Sequence, residues 1–152
     1  EGKVFLDHSD RGGTVGAVAL DGEGNLAAGT STGGLTNRVW GRCSDSSQIG
    51  SGNYANNKTC AVSCTGTGDD FIRSVLAYDL SSIVEYKNLS LAESSQLALE
   101  KLKNLGGYGG VIALNSKGEL CLDYISKGMF RGQKVRKEGC QVGIFSEFIE
   151  RK

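Results

Sequence analysis

The apolar pattern of this chain changes period twice, and that change constrains its fold more than any other feature. The runs Thr14 to Leu20 and Leu26 to Thr32, rich in β-formers and small residues, flank Asp21-Gly22-Glu23-Gly24-Asn25, the pattern of a β-hairpin. The small residues on both runs imply another layer packed very close. Residues 59–65 alternate small apolar residues with Ser and Cys, a third strand. Then Phe71, Ile72, Val75, Leu76, Leu80, Ile83 and Val84 fall at the spacing of one helix, with Asp69 and Asp70 in its first turn, where carboxylates suit the positive helix end. Ser90 and Glu93 form a capping box for a second helix carrying Leu97, Ala98, Leu102 and Leu105 on one face and stopping at Gly106-Gly107. Strand spacing returns over residues 110–115 and 119–125, joined by Ser116-Lys117-Gly118, and residues 134–145 add a further strand. Strands and helices in blocks predict an α+β fold with a mostly antiparallel sheet in one domain.

Composition narrows the function. Glycine supplies 23 of the 152 residues and proline none, against usual shares of about 7% and about 5%. An apolar content of 39% excludes disorder, and the missing proline excludes collagen. Glycine at this density serves tight turns and close approach of backbone to a ligand. Residues 33–58 are rich in Gly, Ser and Asn with little periodicity, a long loop of the kind that often carries function. Lys+Arg and Asp+Glu are 17 each, so no basic surplus points to nucleic acid. No apolar run approaches the roughly 18 residues of a membrane span, and the opening EGKVFLDHSD lacks the apolar core of a secretory signal. With no initial Met, Glu1 need not be the true start.

Cys43, Cys60, Cys64, Cys121 and Cys140 are odd in number and include no C-x-x-C pair. Free thiols in a reducing compartment, hence the cytoplasm, are expected, with no zinc or redox site. His8 is the only histidine, and His8-Ser9-Asp10 reads as a polar turn, because triad members converge from separate elements. Thr65-Gly66-Thr67-Gly68 ends a strand and opens a helix, so its backbone N–H groups face an oxyanion or a carboxylate. It lacks the Gly-Lys-Ser/Thr ending of a P-loop and the third glycine of the dinucleotide fingerprint.

What remains is threonine. Thr14, Thr30, Thr32, Thr36, Thr65 and Thr67 lie at or near strand ends beside glycines. A threonine hydroxyl needs an adjacent base, and its own α-amine serves once the preceding peptide bond is cut. Gly13-Thr14 has the form for that. Arg42 and Asp45, three residues apart in a glycine-rich loop, suffice to hold an amino-acid zwitterion at both ends; the alternative is a surface ion pair worth little.

The run Gly13-Thr14-Val15-Gly16-Ala17-Val18-Ala19-Leu20-Asp21, followed by Gly24-Asn25-Leu26-Ala27-Ala28-Gly29-Thr30-Ser31-Thr32-Gly33-Gly34, resembles the β-subunit of the plant-type L-asparaginase/isoaspartyl peptidase family of N-terminal nucleophile hydrolases. The likeness continues in order through Gly41-Arg42, Asp45-Ser46, Gly50, Gly52, Tyr54-Ala55-Asn56-Asn57 and Ala61-Val62-Ser63-Cys64-Thr65-Gly66-Thr67-Gly68. It recurs at Gly106-Gly107, Gly109-Gly110-Val111-Ile112-Ala113 and Gly128-Met129-Phe130-Arg131-Gly132. The family's arginine loop usually reads Gly-Arg-Val-Gly-Asp-Ser-Pro; here Cys43, Ser44 and Ser47 replace Val, the second Gly and Pro, which leaves the loop's backbone less fixed. Trp40 stands where a small residue or proline is common, to cover the site or shield a partner surface.

The resemblance implies an αββα sandwich assembled from two subunits cut from one precursor. Thr14 would be the nucleophile, released by autocatalytic cleavage at Gly13-Thr14, with its free amine as general base. Thr32 would tune its hydroxyl. Arg42 would hold the substrate's α-carboxylate, Asp45 the α-ammonium with help from Gly66, and Gly68 would line the carboxylate pocket. Thr65 and Gly66 would form the oxyanion hole. Residues 1–13 resemble the end of the linker ahead of the cleavage site, and residues 14–152 the β-subunit. The preceding α-subunit would complete an (αβ)2 heterotetramer and carry a structural sodium loop, leaving no metal or cofactor on this chain. The implied activity is hydrolysis of L-asparagine and β-aspartyl dipeptides, with no nucleic-acid or membrane partner. Alternatives are a non-catalytic relative that binds an amino acid or a partner subunit, and a glycosylasparaginase or threonine aspartase. Asn57-Lys58-Thr59 and Asn88-Leu89-Ser90 match the glycosylation pattern that a lysosomal glycosylasparaginase would carry.

Overall fold

The computed structural model describes residues 13–136, 138–145 and 147–151, so His8-Ser9-Asp10 and nearly all of the 1–13 segment lie outside it. Strands β1 (Thr14–Leu20) and β2 (Leu26–Thr32) form the expected antiparallel hairpin, with Thr14 opposite Thr32 and Gly16 opposite Thr30. Its turn is an Asx turn: Asp21 accepts from the backbone N–H of Glu23 and Asn25, each at 2.8 Å, and from Asn25 Nδ2 at 2.9 Å. Those bonds, the Asn25 side chain first among them, hold the Asp21 carboxyl below its ordinary range.

The long loop predicted over residues 33–58 contains a 3-10 turn, Asp45–Ser47, and a short strand β3 (Asn53–Ala55). Three residues are too few for a period of two to show in the sequence. Strand β3 pairs with β4 (Cys60–Gly66), which continues through β5 (Gly109–Asn115) to β6 (Leu120–Tyr124), antiparallel throughout.

Alternation along β4 separates two interfaces. Cys60, Val62 and Cys64 join Val111, Ala113 and Cys121 under the helices, in one core with Phe71, Leu76, Leu80, Leu99 and Leu102. Each fully buried Leu or Phe there contributes about 1.5–3 kcal/mol. Ser63 points the other way, 2.6 Å from Thr30 Oγ1, which also reaches the Gly52 carbonyl at 3.1 Å. Gly16 stands over Ser63, where any Cβ would collide with the hydroxyl. The hairpin therefore stacks on the sheet as closely as small residues allow.

The single helix expected over residues 71–84 is two. Helix α1 (Gly68–Ser74) ends and α2 (Leu76–Lys87) begins around Val75, which takes a left-handed conformation at φ 49° and ψ 45°. That conformation is strained for a β-branched residue. The apolar spacing runs through the break because Phe71, Leu76, Leu80 and Ile83 all enter one core. Helix α3 (Leu91–Asn104) starts on the Ser90–Glu93 capping box and stops as expected, with Gly106 N–H bonded to Lys103 O at 2.9 Å and Gly107 N–H to Leu102 O at 3.0 Å.

The one strand predicted over residues 134–145 is instead part of a three-stranded sheet, β7 (Arg131–Lys134), β8 (Cys140–Gly143) and β9 (Phe148–Arg151). The fold is α+β, with hairpin, sheet and helices in successive layers. The hairpin's outer face, Val15, Ala17, Ala19, Ala27, Gly29 and Ser31, is exposed, and no helix among the described residues covers it. The fourth layer of an αββα sandwich is thus not among the described residues. No described helix is long and apolar enough to cross a membrane. All five cysteines are free.

Candidate active site

The start of β1, the end of β2 and the β4–β5 ends converge on a cavity of about 420 Å³. Gly13, Thr14, Thr32, Arg42, Asp45, Thr65, Gly66 and Gly68, the residues singled out in the sequence, all line it. Thr30, Thr36, Thr67 and Trp40 do not. Trp40 is fully exposed and covers nothing in this cavity.

Strand register brings the two central hydroxyls together. Thr14 and Thr32 are opposed residues on the sheet-facing side of the hairpin, and Thr14 Oγ1 donates to Thr32 Oγ1 at 3.3 Å. Thr32 Oγ1 in turn donates to the Gly13 carbonyl at 3.0 Å and accepts the Gly34 N–H at 3.0 Å. One hydroxyl thus bridges Thr14 Oγ1 and the carbonyl that precedes Thr14.

The charged pair comes from the loop ahead of β3. Asp45 is 5% exposed, and burial pushes its carboxyl above the ordinary range, against backbone hydrogen bonds and Arg42, which pull it down. Asp45 Oδ2 and Arg42 Nε are buried with no hydrogen-bond partner among the described residues. Polar groups left in that state are costly unless a ligand completes them. Gly68 borders both: a Cβ there would lie 2.5 Å from Asp45 Oδ1 and 3.0 Å from Arg42 Nη2. The loop is well pinned despite its departures from the family pattern. Ser47 Oγ donates to the Ser44 carbonyl at 3.0 Å, Gln48 N–H to the Asp45 carbonyl at 2.8 Å, and Asn53 Nδ2 to the Ser46 carbonyl at 3.0 Å. A side-chain hydrogen bond thus fixes the turn where the family uses proline.

Thr65 and Gly66 end β4 opposite Gly110 and Gly109. Thr67 locks that end to the neighbouring strand, its N–H and hydroxyl donating to the Tyr108 carbonyl at 3.0 and 3.3 Å and its Oγ1 accepting the Tyr108 N–H at 3.1 Å.

Sequence reasoning missed two parts of the site. Asp69, assigned to the start of a helix, pairs with Arg42 at 3.1 Å. The far wall has Tyr108, the unassigned position between the matches at Gly107 and Gly109, with Met129 and Phe130, which stood in the match Gly128-Met129-Phe130-Arg131-Gly132 with no role attached. Among the described residues no group of three or more His, Cys, Asp or Glu is placed to hold a metal ion.

The sequence profile of the family described as asparaginase matches residues 2–144. The chain is 48% identical over 155 residues to an isoaspartyl peptidase of Escherichia coli (strain K12), an alignment covering 97% of this chain and 48% of that protein. It is 50% identical over 154 residues to an isoaspartyl peptidase of Salmonella typhimurium, covering 96% and 49%. A probable isoaspartyl peptidase/L-asparaginase 2 of Arabidopsis thaliana is 49% identical over 132 residues, covering 87% and 40%. The chain spans about half the length of the bacterial relatives it matches.

Proposed function

The chain belongs to the asparaginase family, and from that premise we propose that it is the part of an amidohydrolase that carries the nucleophile, Thr14, for cleaving L-asparagine and β-aspartyl dipeptides. The observation that carries this reading is the Thr14–Thr32–Gly13 hydroxyl chain, which opens on the same cavity as Arg42 and Asp45.

Activation comes first, because Thr14 has no free amine while Gly13 is attached. Thr14 Oγ1 attacks the Gly13 carbonyl carbon, passes its proton to Thr32 Oγ1, and Thr32 passes its own to the Gly13 oxygen. Collapse breaks the C–N bond, the nitrogen takes a proton, and an ester joins Gly13 to Thr14 Oγ1. Water hydrolyses that ester, leaving a Gly13 carboxylate and a free Thr14 amine. Proximity does most of the work, since the hydroxyls are already held by strand register.

Catalysis then reuses the group. The amine takes the Thr14 hydroxyl proton as the oxygen attacks the substrate's side-chain carbonyl. Thr65 and Gly66 face the developing oxyanion, where fixed donors favour the transition state over the ground state. The leaving amine takes the proton back, and water repeats the cycle on the aspartyl ester to release aspartate. Arg42 binds the α-carboxylate, Asp45 the α-ammonium with Gly66, and Gly68 leaves room between them. The sodium loop of the family would lie in the preceding half, and no step here depends on it.

The exposed outer face of the hairpin supports a partner layer, the α-subunit cut from the same precursor, in an (αβ)2 assembly. Five free thiols fit a reducing compartment, the cytoplasm. Intact-mass analysis of the protein expressed with its full coding sequence should show a break at Gly13-Thr14, and the cut protein should release ammonia from asparagine and free aspartate from a β-aspartyl dipeptide. An uncut, inactive protein refutes the proposal.

A further inference from the structure

A guanidinium and a carboxylate three residues apart on one loop attract each other, and a clamp closed on itself holds no zwitterion. In the structure Arg42 makes a different pairing: its Nη2 donates to Asp69 Oδ2 at 3.1 Å, in the first turn of α1. Asp45 Oδ2 and Arg42 Nε stay buried, with no hydrogen-bond partner among the described residues. The separation is sterically tight, since Gly68 sits against both Asp45 Oδ1 and Arg42 Nη2. We propose that Asp69 is a positioning residue that holds Arg42 off Asp45, so that both ends of the clamp remain free for the substrate's α-carboxylate and α-ammonium. This rests on the reading of Arg42 and Asp45 as substrate ligands.

The geometry matters here more than the strength of the ion pair. The Asp69 side chain is 65% exposed and that of Arg42 17%, so the pair adds little to folding stability. Neutralising Asp69 therefore leaves the fold standing and frees the guanidinium to turn toward Asp45, which borders Gly68 with it. Among the described residues Arg42 and Asp69 are the charges that act on Asp45, and the Cys64 thiol behind it is buried and neutral. Once Arg42 pairs directly with Asp45 and the negative neighbour is gone, the Asp45 carboxyl titrates at a lower pH.

The test is Asp69→Asn and Asp69→Glu in the cleaved full-length enzyme, with steady-state kinetics on asparagine and calorimetric binding of L-aspartate. Asp69→Asn should raise KM and the L-aspartate Kd about 10- to 100-fold, leave kcat within about twofold, and move the acid limb of kcat/KM to lower pH. Asp69→Glu should restore all three. Unchanged KM and aspartate affinity in Asp69→Asn, a fall in kcat alone, or a stationary acid limb would each overturn the proposal. A wild-type enzyme that hydrolyses nothing refutes the amidohydrolase reading instead, while the L-aspartate comparison still decides the role of Asp69.

Discussion

Thr32 Oγ1 donates to the carbonyl oxygen of Gly13 at 3.0 Å while accepting the Thr14 hydroxyl at 3.3 Å. In the proposed self-cleavage the same hydroxyl would polarise the bond to be cut and take the proton of the group that cuts it. Thr32→Val keeps the shape and removes both functions. Loss of one such donor slows acyl transfer by about 10²–10³-fold, so uncut precursor should persist in a time course followed by intact mass. Thr32→Ser should cut nearly as fast as the wild type. A valine variant that cuts at the wild-type rate would remove Thr32 from the mechanism.

Gly68→Ala separates substrate binding from self-cleavage. The added methyl would meet Asp45 Oδ1 at 2.5 Å, and because Gly52 packs against the Asp45 backbone with no room for a Cβ, it is the carboxyl that must shift. A clamp displaced by a fraction of an ångström should raise KM about 10- to 100-fold. Gly68 bonds none of Gly13, Thr14 or Thr32, so cleavage at Gly13-Thr14 should proceed normally. Loss of cleavage together with binding would show a general collapse of the site instead.

The thiols should react in an order set by burial. Cys43 is exposed and Cys140 partly so, whereas Cys60, Cys64 and Cys121 are buried. Burial pushes the Cys60 thiol up to about 11 and the Cys121 thiol up to about 12, with Cys64 also raised. The thiolate is the reactive form, so a thiol reagent at pH 8 should label Cys43 first, then Cys140, and the other three only after denaturation. Peptide mapping that finds fast labelling at Cys60 or Cys64, or a disulfide, would contradict this packing.

The sequence made some elements readable and hid others for physical reasons. The hairpin, the capped helix α3 and the strands β4 to β6 follow from periodicity and turn chemistry that act within a few residues. The break at Val75 was hidden because neither glycine nor proline marks it, and core spacing continues across it. Strand β3 was hidden by its three-residue length, and its pairing with β4 is a tertiary fact. In the site, strand register explains why Thr14 and Thr32 meet, but Asp69 lies 27 positions from Arg42 and their pairing shows only in the folded chain. Ser47 read as the loss of a proline, whereas its hydroxyl supplies the hydrogen bond that holds the same turn.

Asp45 gives a prediction in which binding and stability respond oppositely to pH. Burial raises its carboxyl above the ordinary range, with Asp69 adding to the shift while backbone N–H groups and Arg42 reduce it. Only the carboxylate can hold an α-ammonium, so KM should rise as pH falls through that raised value, at a higher pH than an ordinary carboxylate would impose, with kcat changing little. For stability the sign reverses. The folded state binds this proton more tightly than the unfolded chain, so the ionised group destabilises the free protein above its native pKa, and that penalty disappears as pH falls toward the ordinary carboxylate range. Asp45→Asn should therefore bind substrate about 10- to 100-fold more weakly yet melt at or above the wild-type temperature at pH 7, and the gap should close as the solution is acidified. Melting curves from pH 4 to 8 check this directly. An asparagine variant less stable than wild type at pH 7 would mean that the Asp45 carboxylate is held by favourable contacts in the free protein, and not kept at a cost for the substrate.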